Sequence, residues 1–199
     1  MIAMKYLADF LTFSRLLLAT CLAWLGWSRG ADGLQLAALL MIVSWASDVI
    51  DGALARRSRV SFRTWIGDHD LYFDLSVAVG LLIFMTAAGY VNTSLSIIYI
   101  LFWSILFWRL GRLSVLGKLF QAPIYAWLIF NTFRFEPFFG WMILIFLFFV
   151  IGFTWPRFPK ETVPDFLSGF EQVEDSAQNG FENGPNHVNK SFDGDPRQP

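Results

Sequence analysis

Across residues 75–108 the chain runs for 34 residues without an Asp, Glu, Lys or Arg. As a single helix that run would measure about 51 Å at 1.5 Å per residue. The hydrocarbon core of a bilayer is only about 30 Å thick. The run is therefore too long for one span and fits two spans joined by a turn. The turn falls at residues 89–94, which read Gly-Tyr-Val-Asn-Thr-Ser and supply the Gly and Asn that reversals use. Shorter uncharged runs cover residues 16–28, 33–47, 119–133 and 137–156.

This spacing predicts an all-α polytopic membrane protein with six transmembrane helices, near residues 9–28, 34–56, 70–89, 94–112, 118–133 and 137–155. The fifth has a short uncharged core, which calls for tilt, irregularity or extension by its flanks. Residues 1–13 lack the full pattern of a signal peptide. They read as an interfacial lead-in carrying Tyr6, Phe10 and Phe13. Composition agrees: 16% of residues are charged and 55% hydrophobic, whereas soluble domains carry about 25% charged residues. A single cysteine, Cys21, excludes an intrachain disulfide framework.

Six spans leave both termini on one side. That side receives Lys5, Arg15, Arg56, Arg57, Arg59, Arg63, Arg109, Arg112, Lys118, Arg157 and Lys160. The opposite loops receive Arg29 and Arg134. Basic loops stay in the cytoplasm, so both termini are expected there. The membrane domain covers residues 1–162. Residues 163–199 hold seven acids and two bases among Asn, Gly and Pro, and read as an acidic, disordered cytoplasmic tail. The expected location is the cell membrane, with membrane lipid as a neighbour and no nucleic-acid partner.

Four aspartates break the apolar pattern. Asp48 and Asp51 lie at the expected cytoplasmic end of helix 2, and Asp70 and Asp74 at the start of helix 3. A carboxylate near hydrocarbon is costly unless it is paired, hydrated or metal-bound. Asp48, Asp51, Gly52 and Ala55 stand at i, i+3, i+4 and i+7, so two carboxylates share a helical face with two residues that have almost no side chain. Asp70 and Asp74, at i and i+4, share another face. Antiparallel helices would bring the pairs together, and hard oxygen ligands suit Mg²⁺, Mn²⁺ or Ca²⁺. Gly52 and Ala55 leave room for a flat ligand, and Arg56 and Arg57 stand where a phosphate could pair. Two plainer readings stay open on the residues alone. The acids could balance Arg56, Arg57, Arg59 and Arg63, or they could form a cation-transport site. Against transport, helices 4–6 carry almost no polar groups. A membrane scaffold would not need the small-residue face.

Asp48-Val-Ile-Asp51-Gly52-Ala-Leu-Ala55-Arg56, followed by Asp70-Leu-Tyr-Phe-Asp74, resembles the signature of the CDP-alcohol phosphatidyltransferase family, DxxDGxxAR and then Gly, Asp and Asp. The first block matches at every fixed position. Gly67 precedes Asp70 by two intervening residues where the family has three. Thr12-Phe-Ser-Arg15-Leu resembles the family's opening of helix 1, and the likeness extends over residues 5–155.

The resemblance implies an integral membrane enzyme, a homodimer, that transfers a substituted phosphate from a CDP-linked donor and releases CMP. It implies that Asp48, Asp51, Asp70 and Asp74 bind two divalent ions, Mg²⁺ or Mn²⁺, with Asp74 also the general base on the acceptor hydroxyl. Gly52, Ala55, Arg56 and Gly67 would receive the cytidine nucleotide. The expected donor is CDP-diacylglycerol. Arg109, Arg112 and Lys118 are candidate contacts for a phosphorylated acceptor, with glycerol 3-phosphate the first choice and inositol phosphate or serine the alternatives. These three bases could equally be interfacial anchors. Gly117-Lys118 resembles the Gly-Lys before helix 5 of the glycerophosphate-accepting members, but their extended loop and second Lys-Thr pair are missing. Asp68 is a candidate cap for helix 3, and His69 a loop residue or substrate contact.

Overall fold

The computed structural model describes residues 2–57, 70–110 and 114–155; the side chains of 2–13, 51–57, 70–72, 114 and 154 fall outside that description. The acidic tail and the segment carrying Gly67, Asp68 and His69 lie outside the described residues, as does Arg112. The described chain is all-helical, with no strand. Among the described residues six long helices follow one another: α1 Ile2–Arg29, α2 Leu34–Arg57, α3 Asp70–Ala87, α4 Thr93–Leu110, α5 Ser114–Phe135 and α6 Pro137–Thr154.

The helices agree with the hydropathy pattern and differ at their ends. Residues 1–13 were expected as a lead-in, but α1 is continuous from Ile2. The fifth helix gains its length from both flanks, reaching 22 residues and running through Pro123. The third and fourth helices are separated where the Gly-Asn segment stands. Gly89 takes φ +80°, a conformation that favours glycine, and the Ser94 backbone N–H donates to Asn92 Oδ1 at 2.8 Å.

Among the described residues two stretches are long and apolar enough to cross a membrane, Ser14–Ile50 with 37 residues and Thr93–Leu110 with 18. The first is folded in two by a 3-10 turn at Gly30–Gly33, where Gly30 takes φ +55°. Phe73–Ala87 and Pro137–Phe153 are shorter apolar stretches.

Contacts fix the direction of each helix. Gly33 packs on Leu25 at the turn, while Arg15 reaches Asp48 at the other end, so α1 and α2 are antiparallel. Arg15 pairs with Asp74, Ala19 meets Gly80 and Gly26 meets Phe84, so α1 and α3 are parallel. α5 has Gln121 beside Asp74 and Phe135 against Tyr90, so it runs with them. α4 and α6 return the other way after short turns.

The α1–α3 pair is the most extensive contact in the bundle. A Cβ on Gly80 would sit 2.4 Å from the Ala19 carbonyl oxygen, and one on Gly26 would sit 2.7 Å from Phe84 Cα. Two backbones this close require small residues, the usual device where lipid leaves no hydrophobic driving force between helices. Leu22, Leu25, Met41, Leu81, Phe84 and Leu128 fill the remaining core. The periphery carries the large apolar side chains, among them Trp24, Trp27, Trp108, Phe148 and Phe153. A water-soluble monomer rarely exposes apolar area on that scale. Thr86 and Thr132 donate within their own helices, to the Leu82 and Leu128 carbonyls, while the Tyr99 hydroxyl on α4 donates to the Phe120 carbonyl on α5 at 2.6 Å.

Candidate functional site

The α1–α3 packing brings together three charged side chains that the sequence separates widely. Arg15 on α1 donates through Nη2 to Asp48 Oδ1 on α2 at 2.7 Å, and through Nη1 to Asp74 Oδ1 on α3. The arginine is 2% exposed. The Asp48 side chain is 62% exposed and that of Asp74 35% exposed, so solvent reaches the carboxylates but not the cation between them. A guanidinium stays charged even when buried, so it needs such partners to offset its desolvation.

A cavity of about 190 Å³ opens at this cluster. Arg15 contributes from α1, Ser44, Trp45 and Asp48 from α2, Asp74 and Val77 from α3, and Gln121 and Tyr125 from α5. Gln121 and Tyr125 are four residues apart and so share one face of α5. The Trp45 and Tyr125 rings meet edge-on, 5.4 Å between centroids, and close the inner wall. Ser47, one turn from the site, donates to the Ser44 carbonyl at 2.7 Å.

Of the expected ligand set, Asp48 and Asp74 are thus brought together. Asp51 stands in the last turns of α2 and Asp70 opens α3, one turn from Asp48 and Asp74 respectively; their side chains are outside the description, as are those of Ala55 and Arg56. Gly52 lies in the same turn of α2. Gly67 and Arg112 fall outside the described residues. Arg109 ends α4 and Lys118 lies in the first turns of α5, both exposed and neither among the described residues lining the cavity.

Among the described residues no three His, Cys, Asp or Glu side chains cluster. The two that do converge are hard oxygen donors, already arranged around a cation. That donor chemistry fits Mg²⁺ or Mn²⁺.

Arg15 is the residue that sequence reasoning undervalued. In the sequence it stands among the bases of the expected cytoplasmic side, and its only other signal is its place in Thr12-Phe-Ser-Arg15-Leu. Ser44, Gln121 and Tyr125 gave no signal, being polar residues in apolar helices. No family model, no curated protein and no solved structure matches this chain.

Proposed function

We propose that the protein is a membrane-bound, metal-dependent CDP-alcohol phosphatidyltransferase, a homodimer that joins the phosphatidyl group of CDP-diacylglycerol to a small alcohol and releases CMP. The observation that carries this reading is the meeting of Asp48 and Asp74, from two different helices, at a solvent-reached cavity in an otherwise apolar bundle. Placed beside the DxxDGxxAR and DxxxD pattern, that meeting is what a two-helix carboxylate site requires.

The six helices form six spans in this reading, with both halves of Ser14–Ile50 crossing. Their alternating directions put Arg109, Lys118 and the end of α2 at the carboxylate end, and Arg29 and Arg134 at the other. By the bias of basic residues the carboxylate end, and both termini, face the cytoplasm, where a nucleotide donor is available.

Asp48, Asp51, Asp70 and Asp74 would hold the divalent ions, which when bound would neutralise charge on the donor pyrophosphate. Gly52 and Ala55 let the nucleotide approach the α2 backbone, and Arg56 and Gly67 lie where its phosphates pass. Asp74 orients the acceptor hydroxyl and takes its proton as the oxygen attacks the phosphorus bearing the lipid. The anhydride P–O bond breaks and CMP departs. Trp45 and Tyr125 limit the depth to which water and acceptor enter.

The acceptor's hydroxyl end fits the cavity beside Ser44, Gln121 and Tyr125. For glycerol 3-phosphate, the first choice, the phosphate would rest outside, near Lys118, Arg109 and Arg112. Beyond the Arg15, Asp48 and Asp74 cluster the polar lining is uncharged, Ser44, Gln121 and Tyr125, which favours a second acceptor class, an alcohol without a phosphate such as serine. The test is to incubate the purified protein with CDP-diacylglycerol, Mg²⁺ or Mn²⁺, and each acceptor in turn. CMP release that depends on one acceptor and stops with a chelator is the expected result. Folded protein that releases no CMP with any acceptor sinks the reading.

A further inference from the structure

We propose that Arg15 is a positioning residue that serves as the resident cation of the carboxylate site. Its guanidinium holds Asp48 and Asp74 together while no metal is bound, and a divalent cation binds there in competition with it. The proposal rests on the reading of these carboxylates as metal ligands.

Geometry separates Arg15 from an ordinary helix anchor. An anchoring arginine extends toward the headgroups. Arg15 is 2% exposed and its two terminal nitrogens each serve a carboxylate on a different helix. A forked, planar cation is the side chain that can span two acceptors in this way. The contact also links positions 33 and 59 residues apart in sequence, so it ties α2 and α3 to α1 at one point.

The charge balance then sets the direction of the effect. Asp48, Asp74 and Arg15 together carry -1. Without Arg15 the same pair carries -2 and attracts a divalent ion more strongly. The oxygens that accept from Arg15 are also donors a metal would use. Resident Arg15 therefore weakens metal binding while keeping the helices in register. A donor pyrophosphate, arriving with the metal, would offer the released guanidinium a new anionic partner.

The experiment is a Mn²⁺ titration of the full chain in detergent micelles, followed by the electron paramagnetic resonance signal of free Mn²⁺. The site is defined as the bound component that Asp48→Asn removes. Arg15→Gln is expected to bind Mn²⁺ at this site about tenfold more tightly than wild type, the attraction being discounted for the exposure of Asp48. Arg15→Lys, whose single ammonium cannot span both carboxylates, is expected to fall between them. Thermal unfolding without metal should be earliest for Arg15→Gln, and Mn²⁺ should raise its midpoint more than that of wild type. Equal or weaker Mn²⁺ binding in folded Arg15→Gln overturns the proposal. If that variant does not fold, Arg15→Lys binding no tighter than wild type overturns it alone. A wild-type chain lacking the Asp48-dependent component overturns the metal reading itself, and this proposal with it.

Discussion

The two ends of the helix bundle are built from opposite chemistry. At the Tyr90 end the connections are short, and the contacts that join them there run through neutral groups. The Tyr90 hydroxyl donates to the Ala31 carbonyl at 3.2 Å, and the Trp127 indole N–H donates to the Tyr90 carbonyl at 3.1 Å. The Tyr90 ring also meets Phe84 and Phe135. At the Arg15 end the helices are joined through charge, and a cavity remains between them. The Tyr90 end fixes where the helices start and stop. The Arg15 end keeps ionised oxygens within reach of solvent. One end is closed by packing and hydrogen bonds, and the other leaves a cavity that solvent enters.

Substitutions at the two ends should separate these roles. The largest expected effect is at Asp74. Asp74→Asn should lower CMP release by about 10³-fold, the scale of a lost general base, while circular dichroism keeps the helical signal. Intact turnover in that variant would remove Asp74 from the chemistry. Next comes the contact that holds the open end in register. Gly80→Ala puts a methyl group into the Ala19 backbone and should cost about 1–3 kcal/mol, read as a lower melting temperature with Asp74 chemistry weakened in parallel. An unchanged melt would mean that α1 and α3 can part without penalty.

A smaller change is expected from Tyr125→Phe, which removes a hydroxyl from the cavity lining and leaves the ring packed on Trp45. The acceptor KM should rise about tenfold with kcat within a few-fold, the mark of lost ground-state binding. A change in kcat alone would move Tyr125 from binding to the reacting centre. The smallest effect belongs to the closed end. Tyr90→Phe should cost about 0.5 kcal/mol and leave CMP release untouched. Burial first, then the charges of Glu136 and Asp32, push the Tyr90 hydroxyl above its ordinary 10.0, so the neutral donor is the favoured form in the fold. Its contribution is therefore present below pH 10 and lost as pH rises through the shifted value; in Tyr90→Phe that alkaline loss should disappear from a pH series of melts.

Much of the fold was readable because apolar runs and turn residues are local signals. The 34-residue uncharged run required a reversal, and Gly89 and Asn92 supply it. The start of α1 was missed because Lys5 and Asp9 interrupt the apolar pattern, although charge does not stop a helix from continuing. At the site, Asp48 and Asp74 were legible as acids that apolar helices do not tolerate without cause. Gln121 and Tyr125 were not, because an amide and a phenol in a helix fit many roles.

By itself the sequence determined an all-helical chain, apolar runs separated by charge clusters and turn residues, and a concentration of aspartates beside the second and third helices. Each of these depends on the order of residues along one segment. The tertiary structure decided that Arg15 stands between Asp48 and Asp74, and that α5 lines their cavity with Gln121 and Tyr125. That outcome depends on how closely two helix backbones approach, which Gly80 and Ala19 set through the space they leave empty. Absent side-chain volume has no hydropathy signature, so it becomes visible only when the two helices are seen in contact.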